Sequence, residues 1–151
     1  MFARGTLLGL ALAAALALAA PLGAEEIVVI VHPERAATLS ADQLAQIYLK
    51  QRRYWGDGER IVAVNLESAS AVRAAFARAV LGQSPAQLSV YWNRQYFLGV
   101  LPPATLASDE AVKQFVAREK RAIGYIRASA LDDSVRVAFR LQERSPPPPR
   151  D

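Results

Sequence analysis

Ile27-Val28-Val29-Ile30-Val31-His32-Pro33 is the stretch on which the fold class turns. Five β-branched residues in an unbroken run show no alternation of apolar with polar, so the strand they form must be covered on both faces. Proline closes the run. Outward from it the chain alternates. Ser40 and Gln43 stand at capping-box spacing, with Leu39 and Leu44 placed to close as a hydrophobic staple, and the spacing predicts a helix through Ile47 and Tyr48. After the turn Gly56-Asp57-Gly58, Ile61 to Val64 reads as a second buried strand. Glu67 to Ser70 offers caps for a helix to about Leu81, its apolar face made by Val72, Phe76 and Val80, with Gly82 as its stop. A second capping box, Ser84 with Gln87, has Pro85 at the first helical position and predicts a helix carrying Leu88, Tyr91 and Trp92 into the core. The paired prolines 102 and 103 end that helix. Ser108 opens another with Val112, Phe115 and Val116 inward. Ala122 to Ile126 is a short strand, and Val135 to Leu141 alternates behind the turn Asp132-Asp133. Strands alternating with helices, unbroken by low complexity, specify one α/β domain with helices covering a mainly buried sheet.

The ends have a different character. Arg4, an apolar run from Leu7 to Ala20, and Pro21-Leu22-Gly23-Ala24 before Glu25-Glu26 form the three parts of a secretory signal. That run of about 14 residues is short for a membrane-spanning helix. The expected organisation is a signal peptide at 1–24, a folded domain at 25–141 and a disordered proline-rich tail at 142–151. Export to a bacterial periplasm follows, with no stable membrane insertion once the signal is cleaved.

Composition narrows function. The 151 residues include no cysteine and one histidine, which excludes disulfides, thiolate chemistry and cysteine-based metal sites, and leaves little for a zinc site. The net charge of +4 is small and scattered, too weak a signal for nucleic acid. His32 ends a strand with no nucleophile placed beside it. The acidic pairs 109–110 and 132–133 sit where helix starts and turns favour acids. Phosphate loops, helical metal motifs and nucleophile elbows are missing, so no catalytic residue, metal ligand or cofactor is assigned.

The junction Asn65-Leu66-Glu67-Ser68-Ala69-Ser70-Ala71-Val72-Arg73 stands out. It follows a buried strand and opens a helix, where free amides and the helix dipole favour an anion, and two hydroxyls and an arginine lie close by. A plain serine cap, with Arg73 solvated or paired to an acid, explains the same residues.

Leu39-Ser40, Ile47-Tyr48 and Trp55-Gly56-Asp57-Gly58, followed by the strand at 61–64, Phe76 and Ala122-Ile123-Gly124-Tyr125-Ile126, resemble the phosphate-type ABC transporter substrate-binding proteins. The resemblance runs over about residues 27 to 140 and is nearest to their small one-lobe exported relatives. Those also carry the Tyr91-Trp92 pair and the Phe97…Gly99…Pro102-Pro103 stretch. It implies a single lobe of the type 2 periplasmic-binding-protein fold, with a mixed sheet. In two-lobed members the corresponding junction offers an Arg, an Asp and Ser-Gly-Thr to phosphate. By position these fall on Leu66, Ser68 and Ser70-Ala71-Val72, so only Ser70 keeps the family's residue. The expected ligand is phosphate or another small oxyanion, at Ser68, Ser70 and Arg73. The alternative is a periplasmic interaction module that has lost its ligand, with a homodimer or another periplasmic protein as partner. Its surface would draw on Tyr54, Trp55, Tyr91, Trp92, Tyr96 and Phe97.

Overall fold

A computed structural model describes residues 25–141. The expected signal at 1–24 and tail at 142–151 lie outside the described residues. The five strands are β1 (Ile27–Val31), β2 (Val62–Leu66), β3 (Ala104–Leu106), β4 (Ala122–Arg127) and β5 (Arg136–Leu141). They form one mixed sheet in the order β3-β2-β4-β1-β5. β2 runs parallel to β3 and β4, whereas β1 runs antiparallel to β4 and β5. All five residues of β1 are buried, as its unbroken apolar run requires.

The helices are α1 (Ala41–Tyr48), α2 (Ala71–Phe76), α3 (Pro85–Phe97) and α4 (Asp109–Arg118). Both capping boxes form. The Ser40 hydroxyl accepts the Gln43 amide at 3.2 Å while the Gln43 side chain accepts the Ser40 amide at 3.0 Å, and Ser84 with Gln87 repeats this at 3.2 and 2.8 Å. Gly82 stops its helix at φ 62°, a conformation that suits a residue without Cβ.

Gly124 and Tyr125 are neighbours on β4 and so point to opposite faces. On the Gly124 face α4 sets Val112 and Val116 against the strand. On the Tyr125 face α1 and α2 bring Tyr48 and Phe76 onto the tyrosine ring. A helix layer on each side thus sandwiches the sheet, the α/β architecture expected from the alternation.

Four details differ from the sequence reading. β2 begins at Val62 and runs through Asn65 and Leu66, because those two residues pair with Thr105 and Leu106 of β3. β3 itself, three residues long, has no counterpart in the reading. The helix expected up to Leu81 changes at Ala77 into a π-helical turn, Ala77–Leu81. Trp92 is only half-buried, and no residue of α3 is fully buried. α3 lies at the margin of the fold, fixed there by the Tyr91 hydroxyl donating to the Leu49 carbonyl at 2.7 Å and by the edge-on Tyr91–Trp92 pair.

One ion cluster ties the loop before β5 to α4. The Lys113 ammonium reaches Asp132 at 2.7 Å, Glu110 at 2.9 Å and the Ala130 carbonyl at 3.0 Å. The Lys113 contact, with help from Ser134, holds the Asp132 carboxyl down at about 2. A depressed carboxyl contributes stability that is complete above its unfolded value of 3.8 and is lost as pH falls toward about 2. An acid titration of Asp132→Asn, followed by circular dichroism, should therefore show a shallower acid limb than the parent. An unchanged limb would remove this cluster from the acid response.

Candidate functional site

Two helices leave the C-terminal ends of adjacent parallel strands toward opposite faces of the sheet. β2 passes into α2 on the Tyr125 face, and β3 passes into α4 on the Gly124 face. Such a divergence opens a crevice at the strand ends, the place where open α/β sheets receive ligands. Here it is a cleft of about 490 Å³ lined by Leu66, Glu67, Ala69, Ser70, Ala107, Ser108, Asp109, Glu110, Arg127 and Ala130.

Ser70 caps α2, its hydroxyl accepting the Arg73 amide at 3.2 Å, and its own amide donates to the Glu67 carbonyl at 3.0 Å. The next two amides, of Ala71 and Val72, belong to the first turn, where no preceding helical carbonyl can take them. Ser108 caps α4 in the same way at 3.1 Å from the Ala111 amide. Arg127 ends β4 and carries the cleft's positive charge. One guanidinium nitrogen donates to Asp109 at 2.8 Å and another meets Glu25 at 2.7 Å. The second Asp109 oxygen is buried without a hydrogen-bond partner. Asp109 sits at the first position of α4, where the helix dipole and Arg127 both favour its charge.

The three residues expected at the site are placed differently from one another. Ser70 lines the cleft. Ser68 is exposed in the turn just before it and is not among the lining residues. Arg73 folds back on the strand end, its Nη1 donating to the Leu66 carbonyl at 2.9 Å. It lines a narrow slot with Tyr48, Asn65, Trp92 and Tyr125. In that slot Tyr125 donates to the Asn65 side chain at 2.9 Å, and burial pushes its hydroxyl up to about 12. Ser108, Asp109 and Arg127 were not singled out as ligand residues from sequence. Ser108 was legible as a helix opener, whereas Arg127 lies one residue past the strand read at 122–126, and only the sheet order brings them beside Ser70.

A larger cleft, about 540 Å³, lies at the other end of the strands around Arg35, Trp55 and Lys120. Its central cation is already engaged. Arg35 donates to the Lys120 carbonyl at 2.8 Å, pairs with Asp57 and Glu59, and lies 4.5 Å over the Trp55 ring. Trp55, expected on a partner surface, is buried there and donates its Nε1 proton to the Arg121 carbonyl at 3.0 Å. His32 accepts the Glu34 amide at its Nδ1, 3.1 Å away, as a turn residue does.

A family model described as a PBP superfamily domain matches residues 11–143. The chain belongs to the PBP superfamily. Solved structures with the same fold include an ABC-type phosphate transport receptor from Vibrio cholerae, 24% identical, with a TM-score of 0.63 over 75% of this chain and 45% of that one. A putative phosphate ABC transporter substrate-binding protein with bound phosphate from Clostridium perfringens is 27% identical, with a TM-score of 0.61 over 75% of this chain and 44% of that one. PstS from Borrelia burgdorferi, at 13% identity, has a TM-score of 0.58 over 75% and 46% of the two chains. No curated protein matches. This PBP superfamily chain therefore spans less than half the length of these structural relatives, and the mixed five-stranded sheet is the PBP-like lobe that the resemblance implied.

Proposed function

We propose that this exported PBP superfamily chain is a phosphate-type binding lobe that takes phosphate or another small oxyanion in the crevice between the β2–α2 and β3–α4 turns. The observation that carries the reading is Ser70: it caps a helix at the C-terminal end of a buried parallel strand and faces an open cleft of ligand size. The reading draws support from the Clostridium perfringens relative, whose structure holds phosphate.

In this reading the amides of Ala71 and Val72 and the hydroxyl of Ser70 donate to the anion, while Ser68 stands outside the cleft. Arg73, held at the Leu66 carbonyl, adds positive potential to the strand end. Arg127 is the direct cation. Glu25 now covers one edge of its guanidinium and is half-exposed, so an incoming oxyanion displaces that carboxylate and leaves the part-buried Asp109 pair intact. Glu67 and Glu110 oppose anions, but Glu110 is turned to Lys113 at 2.9 Å. The nearby carboxylates favour a singly charged or small ligand over a bulky polyanion.

Thermal unfolding over a panel of anions tests this. Ligand at a hundredfold excess over Kd should stabilise the chain by about 2.7 kcal/mol, raising Tm by roughly 10 °C. Arg127→Ala should abolish the rise, Arg73→Ala should reduce it, and Glu25→Gln should enlarge it by removing the internal competitor. A flat response to millimolar phosphate and sulfate would end the proposal. A rise unaffected by Arg73→Ala would take that arginine out of the site.

A further inference from the structure

The distal end of α3 has no role in the crevice, and it carries the most exposed apolar side chains of the lobe. Phe97 is 86% exposed, Leu98 71%, Tyr96 66% and Leu101 62%. The tip is a formed turn. The amides of Leu98 and Val100 both donate to the Gln95 carbonyl, at 2.9 and 3.0 Å, and Gly99 takes φ 75° beyond the helix end. Residues 96, 97 and 98 are consecutive on a helix and therefore fan over more than half its circumference. A peptide groove reads a helix along one face, at spacings of three, four and seven; on α3 only Val90 and Phe97 are exposed apolar residues at such a spacing, too short a stripe to fill a groove.

The surroundings are cationic. No acid occurs from Ser68 through Ser108, nor from Gln43 through Gly56. The Tyr91–Leu49 hydrogen bond fixes these two acid-free segments side by side. Lys50, Arg53 and Arg60 cluster at that contact, and Arg94, one turn beyond Tyr91, lies on the same helix face. None of the four pairs with a carboxylate among the described residues. Burial, with Arg60 and Arg53 close by, pulls the Lys50 ammonium below its usual range. Tyr54, 54% exposed, stands next to Arg53 and bridges to Arg60 in the backbone.

We propose that the α3 tip, Tyr96-Phe97-Leu98 with Leu101, docks into an anionic lipid surface, with Lys50, Arg53, Arg60 and Arg94 resting on the headgroups. Apolar side chains facing all ways at a projecting tip can each enter the acyl boundary, and a rim of unpaired cations supplies the headgroup attraction. A second copy of the chain is a poor occupant of this face, because two identical cationic rims would repel. The proposal is independent of the oxyanion site, which opens at the strand ends.

Sedimentation with vesicles tests it, using both the full chain and the chain started at Glu25, since every described strand and helix lies past that point. Vesicles of phosphatidylglycerol and phosphatidylcholine in equal parts should retain the shorter chain, and pure phosphatidylcholine should not. Raising NaCl from 50 mM to 500 mM should release it, since that salt screens exposed charges beyond a few ångströms. The double variant Phe97→Ser, Leu98→Ser and the double variant Lys50→Glu, Arg53→Glu should each lower retention by roughly tenfold or more. Far-ultraviolet circular dichroism of both variants should overlay the parent, because all four side chains lie at the surface or in a loop. The proposal falls if anionic vesicles do not retain the Glu25 chain, if neutral vesicles retain it equally, or if folded variants bind like the parent. Capture of a soluble acidic polypeptide by this face, without vesicle retention, would overturn it in favour of a protein partner.

Discussion

Phe76→Ala is expected to cost about 4 kcal/mol, the usual scale for emptying a buried aromatic site. Phe76 sits where three elements meet. Its ring stacks on Tyr125 of β4 with centroids 4.0 Å apart and an angle of 4°, and it meets Tyr48 of α1 edge-on at 4.8 Å. Tyr48 closes the group, with its hydroxyl at 3.2 Å from the Val64 carbonyl. Removing the middle ring leaves a void bounded by two rings that are themselves hydrogen-bonded to strands and so have little freedom to collapse into it. Urea unfolding should show a large fall in midpoint with an unchanged slope. Phe76→Leu, which keeps most of the volume, should lose less than half as much. A loss below about 1 kcal/mol for the alanine variant would mean that the site collapses freely, contrary to this account. The effect should extend to the crevice, because Phe76 anchors the helix that Ser70 caps.

Gly124→Ala should destabilise by about 3 kcal/mol, at the upper end for one added carbon in a packed core. A Cβ at this position would lie 2.5 Å from Cγ1 of Val112 and 3.2 Å from Cγ2 of Val64. Both neighbours are core valines with restricted rotamers, so neither can swing aside. The glycine is present because α4 packs directly on the strand, and that close approach holds Ser108 and Asp109 at the mouth of the crevice. Val112→Ala removes the clashing carbon, so the double variant should be more stable than the sum of the single effects. If the effects simply added, the steric account would be wrong.

What the sequence allowed to be read follows the range of the interactions. Ser40 with Gln43 and Ser84 with Gln87 were legible because each cap is settled within four residues. β1 was legible because burial on both faces removes polar residues from it. β3 was not: three residues, Ala104 to Leu106, become a strand only through pairing with β2 some forty residues earlier, and carry no pattern of their own. For the same reason β2 ends two residues later than its apolar run. Trp92 was expected inside with Leu88 and Tyr91, and these three do turn toward the body of the lobe, yet none is fully buried, and Tyr96 and Phe97 beyond them are exposed.

The candidate site divides in the same way. Ser70 was readable as a cap facing free amides, and the cleft does open beside it. That Arg73 turns to the Leu66 carbonyl, and that Arg127 enters the cleft from another strand bound to Asp109, depends on sheet order and helix direction. One-dimensional spacing holds neither. Of the positions where the resemblance implies other residues, 66 ends β2, 68 lies in the turn, and 71 and 72 open α2, whereas the cations nearby come from α2 and β4.

The two outermost strands of the sheet have a consequence for how this lobe behaves at high concentration. On one margin β3 offers a template of only three residues, too short to recruit a neighbour firmly. On the other, β5 exposes Arg136 and Arg140, with Arg140 tied to Glu26 at 3.1 Å. A foreign strand approaching there would have to strip water from guanidinium groups. Neither flank is hospitable to ribbon growth, so crowded copies of the molecule resist stacking edge on edge into fibres.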